Sequence, residues 1–225
     1  MLIYIIFIVI SILSFVIQQS LNSKFQKYSR VALSTPLYGK DVAQKMLRDN
    51  GITDVQVIST RGSLTDHFNP ANKTVNLSDS VYGTNSVAAA AVAAHECGHA
   101  VQHAQGYAPL KMRSALVPVV SFASQWVTWI ILIGIVLVQV FPVIFWVGIG
   151  LFAATTLFSF ITLPVEIDAS HRAIQWLERA GITQGENTTM AKSALRSAAY
   201  TYVIAALGSL ATLVYYVVIA MSGRR

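Results

Sequence analysis

Apolar residues along this chain gather into long runs separated by polar stretches, and the run lengths set what each can become. Leu2 to Ile17 is uninterrupted, a little short of the ~20 residues of a typical membrane span. No basic residue precedes it, and it ends Val16-Ile17-Gln18-Gln19-Ser20 without a small-residue cleavage site, so it reads as an uncleaved anchor and not as a signal peptide. Ala115 to Leu163 holds almost nothing charged; it is too long for one crossing and about right for two. Gln139 and Pro142 mark the turn of that hairpin, with spans near Val117 to Val138 and Val143 to Leu163. Gly134, Gly148 and Gly150 within it suit close helix packing. Tyr200 to Met221 makes a fourth span.

Residues 31–114 form the one polar block long enough to fold outside a bilayer. Thr35-Pro36 reads as an N-cap and first-turn pair, Val42, Met46 and Leu47 give a helical apolar face, and Asn50-Gly51 closes a short helix. Val55 to Ser59 and Thr74 to Leu77 alternate as strands do, with a turn at Asn69-Pro70-Ala71-Asn72 between them. A small sheet is expected there, whose edge strand reads first as a plain structural strand and, as the alternative, as one that offers backbone hydrogen bonds to an extended peptide. After the hairpin, Pro164 is expected to end or kink the span, and Val165 to Ala180 reads as a helix closed by Gly181.

Composition supports the membrane reading. Of 225 residues, 54% are hydrophobic and only 12% charged, with a mean hydropathy of +0.56, outside the range of ordinary soluble domains. The formal charge of +6 is scattered beside apolar runs, which argues against a nucleic-acid partner and for positive-inside flanks. Lys24, Lys27, Arg30, Lys111, Arg113, Arg172, Lys192 and Arg196 fall on one side in this count, the cytoplasmic one. Arg224 and Arg225 fall outside, against the rule, and are outnumbered. A single cysteine, Cys97, excludes an intramolecular disulfide framework and reads as a small buried residue.

The candidate chemistry lies in Val92-Ala93-Ala94-His95-Glu96-Cys97-Gly98-His99-Ala100. The Ala-rich lead-in from Val87 makes it a helix, and four residues are one turn plus about 40°. His95 and His99 therefore share a face, where two imidazoles take adjacent corners of a tetrahedral Zn²⁺ site. Glu96 sits about 100° round from His95, placed as a general base and not as a ligand. Gly98 weakens the helix slightly and suggests close packing against another backbone.

A third ligand is needed to leave one position open. The metzincin spacing would put Gly at 102 and His at 105, and both are glutamine, Gln102 and Gln105. His103 is one turn beyond His99, but three ligands on consecutive turns of a straight helix diverge, so it reads as a supporting or core residue. Glu166 is the better candidate, because two crossings return the chain to the side that bears the histidines. The ordinary alternative is a first-turn charge favoured by the helix dipole.

The succession of anchor, Leu64-Thr65-Asp66-His67-Phe68, the His95–His99 motif, hairpin and Pro164-Val165-Glu166-Ile167-Asp168-Ala169-Ser170 resembles the YugP-type membrane-bound neutral zinc metallopeptidases. More distantly it is similar to HtpX-type and CAAX-prenyl membrane proteases, in which Glu-x-x-Ala-Asp follows the spans. Here Glu166 and Ala169 match, and Ser170 replaces the aspartate. The resemblance implies His95, His99 and Glu166 as Zn²⁺ ligands and Glu96 as the base, with Ser170 a weaker support for a ligating histidine. Asp168, about 200° round from Glu166, is expected to point elsewhere. His67, His171 and Arg172 are candidates for stabilising an oxyanion, though no spacing ties them to the site.

The expected fold is a mainly α membrane protein of about four transmembrane helices plus a small α+β zincin-like (gluzincin) catalytic unit at the inner membrane face. Its parts are an N-terminal anchor over 1–18, a cytoplasmic segment with the H-E-x-x-H helix over 19–114, a two-span hairpin over 115–164, a cytoplasmic helical segment with the third ligand over 165–198, and a fourth transmembrane helix and tail over 199–225. The expected activity is zinc-dependent peptide-bond hydrolysis at the plasma membrane, with a peptide or membrane-protein substrate and lipid as partners. A site-2-type intramembrane protease would need an aspartate in a later span, and these spans hold none. A non-catalytic zinc-binding chaperone or assembly factor is the rival from another class; closed structural sites want four ligands and prefer cysteine.

Overall fold

A computed structural model describes residues 2–62 and 64–222; Arg224 and Arg225, counted above against the charge rule, lie outside the described residues. The chain is mainly helical, with four helices long and apolar enough to cross a membrane and a small three-stranded sheet. In order these elements are α1 (Leu2–Tyr28), α2 (Gly39–Asp49), β1 (Gln56–Thr60), β2 (His67–Asn69), β3 (Thr74–Ser78), α3 (Asp79–Tyr82), α4 (Val87–Ala104), α5 (Ala108–Val136), α6 (Pro142–Arg179) and α7 (Glu186–Ser222). They divide into two compact units: residues up to Val16, Lys111–Pro164 and from Thr201 on make one, and Ile17–Leu110 with Val165–Tyr200 the other.

The first unit is apolar. Its main buried cluster is Val127, Ile131, Phe145, Ile149 and Ala220, while Val136, Val143, Trp129 and Phe122 turn outward, as lipid-facing side chains do. Gly134 permits the contact of α5 with α6, since a Cβ there would sit 2.6 Å from the Phe145 Cα; Gly148 does the same against Ile131. Gly150, expected to share this role, has nothing within 4 Å of a Cβ position. Thr156 and Ser209 hydroxyls meet at 2.6 Å, the kind of small polar pair that joins helices in hydrocarbon.

The second unit holds the sheet. Its order is β1-β3-β2, with β1 and β3 parallel and β2 antiparallel to β3. Val75 and Leu77 of the central strand are fully buried. They pack in one core with Val42, Ala43, Met46 and Leu47 of α2 and with the small residues Ala90, Ala91, Ala93, Ala94 and Cys97 of α4. Small side chains let the two helices approach until Cys97 Sγ reaches the Ala43 carbonyl oxygen at 3.5 Å. The Ser86 hydroxyl caps α4 by accepting from the Ala89 N–H at 3.1 Å, a contact worth about 1 kcal/mol.

Several boundaries differ from the sequence expectation for identifiable reasons. Helix α2 starts at Gly39 and not at Pro36, because the Asp41 carboxylate accepts the Tyr38 N–H at 2.9 Å and sets the first turn there. Helix α5 begins at Ala108, ahead of the expected apolar start, so Lys111 and Arg113 are already helical. Pro164 does not end α6, which runs 38 residues through it. In an apolar run, breaking the helix would expose many backbone groups, whereas a proline removes one donor. Strand β2 and the single turn α3 are too short to carry a readable period.

Candidate metal centre

All the groups of the site belong to the second unit. Helix α4 presents His95 and His99 from successive turns, their rings 4.8 Å apart and nearly perpendicular. Glu166 comes from α6, buried to 3% exposure. Its Oε2 lies 3.3 Å from His95 Nε2 and 3.7 Å from His99 Nε2, and one ligating atom from each of the three residues falls within 4.8 Å of the others. Two ligands at zinc bond lengths in a tetrahedral site are roughly 3.4 Å apart, so two imidazole nitrogens and a carboxylate oxygen at these separations fit a divalent ion with one position left open. What brings α4 and α6 so close is Gly98, where a Cβ would lie 2.6 Å from the Ala169 carbonyl oxygen.

Glu96, next to His95 and only 8% exposed, takes no part in that triad. Its Oε2 accepts the Phe68 N–H at 3.0 Å. Strand β2 pairs with β3 on its other side, so the free edge of β2 is the edge that meets Glu96. Sequence reasoning missed this strand, although an edge strand near the motif was anticipated.

Behind the histidines lies a network that sequence reasoning only partly anticipated. His95 Nδ1 is 3.1 Å from Ser170 Oγ, the support expected of that serine. His99 Nδ1 is 3.0 Å from Gln102 Oε1, while Gln102 Nε2 donates to the Val165 carbonyl and to Asp168 Oδ2, each at 2.8 Å. Asp168 therefore points toward the site's support and not elsewhere: the helix turn carries it away from Glu166 but toward α4. Arg172 donates to Asp168 and to Gln105 Oε1 and lies over the Tyr107 ring, which makes it part of this support. Gln102 had served only to exclude the metzincin spacing; its position three residues after His99, on the same helix face, was the available signal.

The other candidates stand apart. His67 is exposed, with Nδ1 2.8 Å from the Thr65 carbonyl oxygen. His171 is exposed beside Gln175. His103 is exposed and not a core residue; its ring tilts against Phe68 at 5.8 Å, because the helix ends one residue later and leaves that face open.

Charge is concentrated where the three ligand candidates meet. Burial disfavours the charged form of His99, but the nearby Glu166 carboxylate and the negative charge of Glu96 outweigh this and raise its pKa above the ordinary imidazole value. A proton and a divalent cation thus compete for the same place. Cys97 behaves oppositely: burial, then the charge of Glu96, push its thiol well above the usual range, so it stays a neutral core residue.

The family model described as "Putative neutral zinc metallopeptidase" matches residues 3–221. The chain belongs to this family. It is also 42% identical over 212 residues, 94% of this chain and 93% of its relative, to "Putative membrane protease YugP" of Bacillus subtilis (strain 168). No solved structure matches it. The family bears out the resemblance read from the motifs, and the His/His/Glu cluster agrees with a zinc metallopeptidase.

Proposed function

We propose that this member of the family is a membrane-embedded zinc endopeptidase that hydrolyses peptide bonds at the cytoplasmic face of the plasma membrane. His95, His99 and Glu166 hold the zinc, and Glu96 is the general base. The observation that carries this reading is the convergence of two imidazole Nε2 atoms and one buried carboxylate oxygen, with a second carboxylate, that of Glu96, outside the triad.

Zinc bound there supplies Lewis acidity, polarising the scissile carbonyl and lowering the pKa of water. The Glu96 carboxylate takes the proton from the attacking water and delivers it to the leaving amine as the C–N bond breaks and the new C–O bond forms. The Phe68 N–H orients that carboxylate through one of its oxygens. An extended substrate aligned on the free edge of β2 would bring its backbone past Glu96.

Two features support a site at the membrane surface and not in mid-bilayer. The apolar run Val143 to Leu163 is by itself about the ~20 residues of a full span, and Glu166 follows its end in the sequence. The segments 19–114 and 165–198, which carry the site groups, also carry Lys24, Lys27, Arg30, Lys111, Arg113, Arg172, Lys192 and Arg196, and basic residues close to the ends of spans stay in the cytoplasm.

The test compares the wild-type chain in mild detergent with Glu96→Gln, measuring bound zinc and cleavage of a mixed unfolded-membrane-protein substrate. Equal zinc with cleavage reduced by about 10²-fold or more is expected. Equal zinc with no cleavage by either protein would contradict the enzymatic reading.

A further inference from the structure

We infer that Gln102 is the positioning residue of this centre: its side chain imposes the tautomer of His99 and ties the helix of the histidines to the helix of Glu166. This rests on the reading of His95, His99 and Glu166 as zinc ligands.

A side-chain amide carries two N–H donors on its nitrogen and only acceptor sites on its oxygen. Gln102 is fully buried, so these groups need partners within the protein. Its Nε2 faces the Val165 carbonyl oxygen and Asp168 Oδ2, each at 2.8 Å. Both are acceptors, so both protons are used, and turning the amide round would set oxygen against oxygen twice. Oε1 is left opposite His99 Nδ1 at 3.0 Å. An acceptor there requires the proton on Nδ1, which frees the Nε2 lone pair on the side facing Glu166, where a metal would bind.

His95 is treated differently. Its Nδ1 faces a hydroxyl, that of Ser170, which rotates to donate or to accept. One ring is therefore fixed and the other is accommodated. Arg172 closes the far end of the chain of contacts by donating to Asp168 Oδ2, so that oxygen remains an acceptor for Gln102. Because Val165 and Asp168 flank Glu166 on α6, the same amide sets how far along α4 the Glu166 carboxylate stands. The Gly98–Ala169 approach gives the two helices their separation, and Gln102 gives them their register.

The experiment uses the full chain in detergent, with zinc affinity from competition against a chromophoric chelator, the visible spectrum of the cobalt-substituted protein, and the thermal midpoint of the metal-free protein. Gln102→Leu removes the acceptor and should weaken zinc binding by about 10–100-fold and alter the cobalt spectrum. Gln102→Glu keeps an oxygen opposite Nδ1, and its carboxyl, protonated when buried beside Asp168, keeps one donor for Asp168 Oδ2; it should recover most of that affinity even if the thermal midpoint stays low. Should Gln102→Leu fail to fold, Gln102→Met removes the acceptor while keeping the side-chain length. Wild-type affinity in the apolar variant would overturn the inference. So would an equal loss in the apolar and the glutamate variant, which would trace the effect to helix packing. A wild-type chain that binds no zinc would overturn the reading of the centre itself.

Discussion

In the apolar unit, helices meet through glycines and paired hydroxyls, with large side chains such as Phe122 and Trp129 turned outward. In the unit that carries the histidines, helices also meet at a glycine, but there the contact is backed by the buried amide of Gln102, both of whose N–H donors have an acceptor on α6. At its glycines the first kind of contact depends on shape, with an isolated hydroxyl pair beside them. The second depends on shape and on atom-by-atom polarity, because a buried polar group left without a partner costs about 1–3 kcal/mol. A single substitution should therefore have very different effects in the two places.

Glycine to alanine is the sharpest form of that contrast. Gly98→Ala sets a methyl 2.6 Å from the Ala169 carbonyl oxygen, a backbone atom that moves only if α4 and α6 part. We expect destabilisation of about 1–3 kcal/mol, together with weakened zinc binding, read by thermal unfolding and chelator competition. The same change at Gly134 sets a methyl 2.6 Å from the Phe145 Cα. It should destabilise by a similar amount and leave zinc binding as it was. Equal losses of zinc binding at the two glycines would dissolve the comparison.

A smaller effect tests the hydroxyl pair. Thr156→Val removes the 2.6 Å contact with Ser209 and should cost about 1 kcal/mol, leaving zinc binding as it was. The mildest perturbation is chemical. Cys97 is fully buried and its thiol is held neutral by its surroundings, and since the thiolate is the reactive form, a maleimide should label it only on unfolding. Labelling of the folded protein at the rate of a free thiol would show that the core around α4 is open.

What could be read in the sequence follows from what forces structure locally. Spans were legible because hydrocarbon demands long apolar runs, and the His95–His99 pair because a four-residue spacing has one geometric meaning on a helix. Glu166 was within reach because topology and a family pattern both pointed to it. Gln102 and Asp168 were not, because their roles arise only when α4 and α6 lie side by side, and nothing in the spacing of either segment records the other. Strand β2 escaped notice because three residues cannot display alternation, although it meets Glu96. Pro164 allowed either an end or a kink, and α6 runs on through it, because apolar surroundings favour an unbroken helix.

The most direct measurement is zinc content and X-ray absorption of the purified wild-type chain beside Glu166→Ala. One zinc per chain, bound by two imidazoles with oxygen completing its shell and lost or loosened by about 100-fold or more in the variant, is the result this account predicts. Full zinc retention in Glu166→Ala, with an unchanged absorption spectrum, would contradict it.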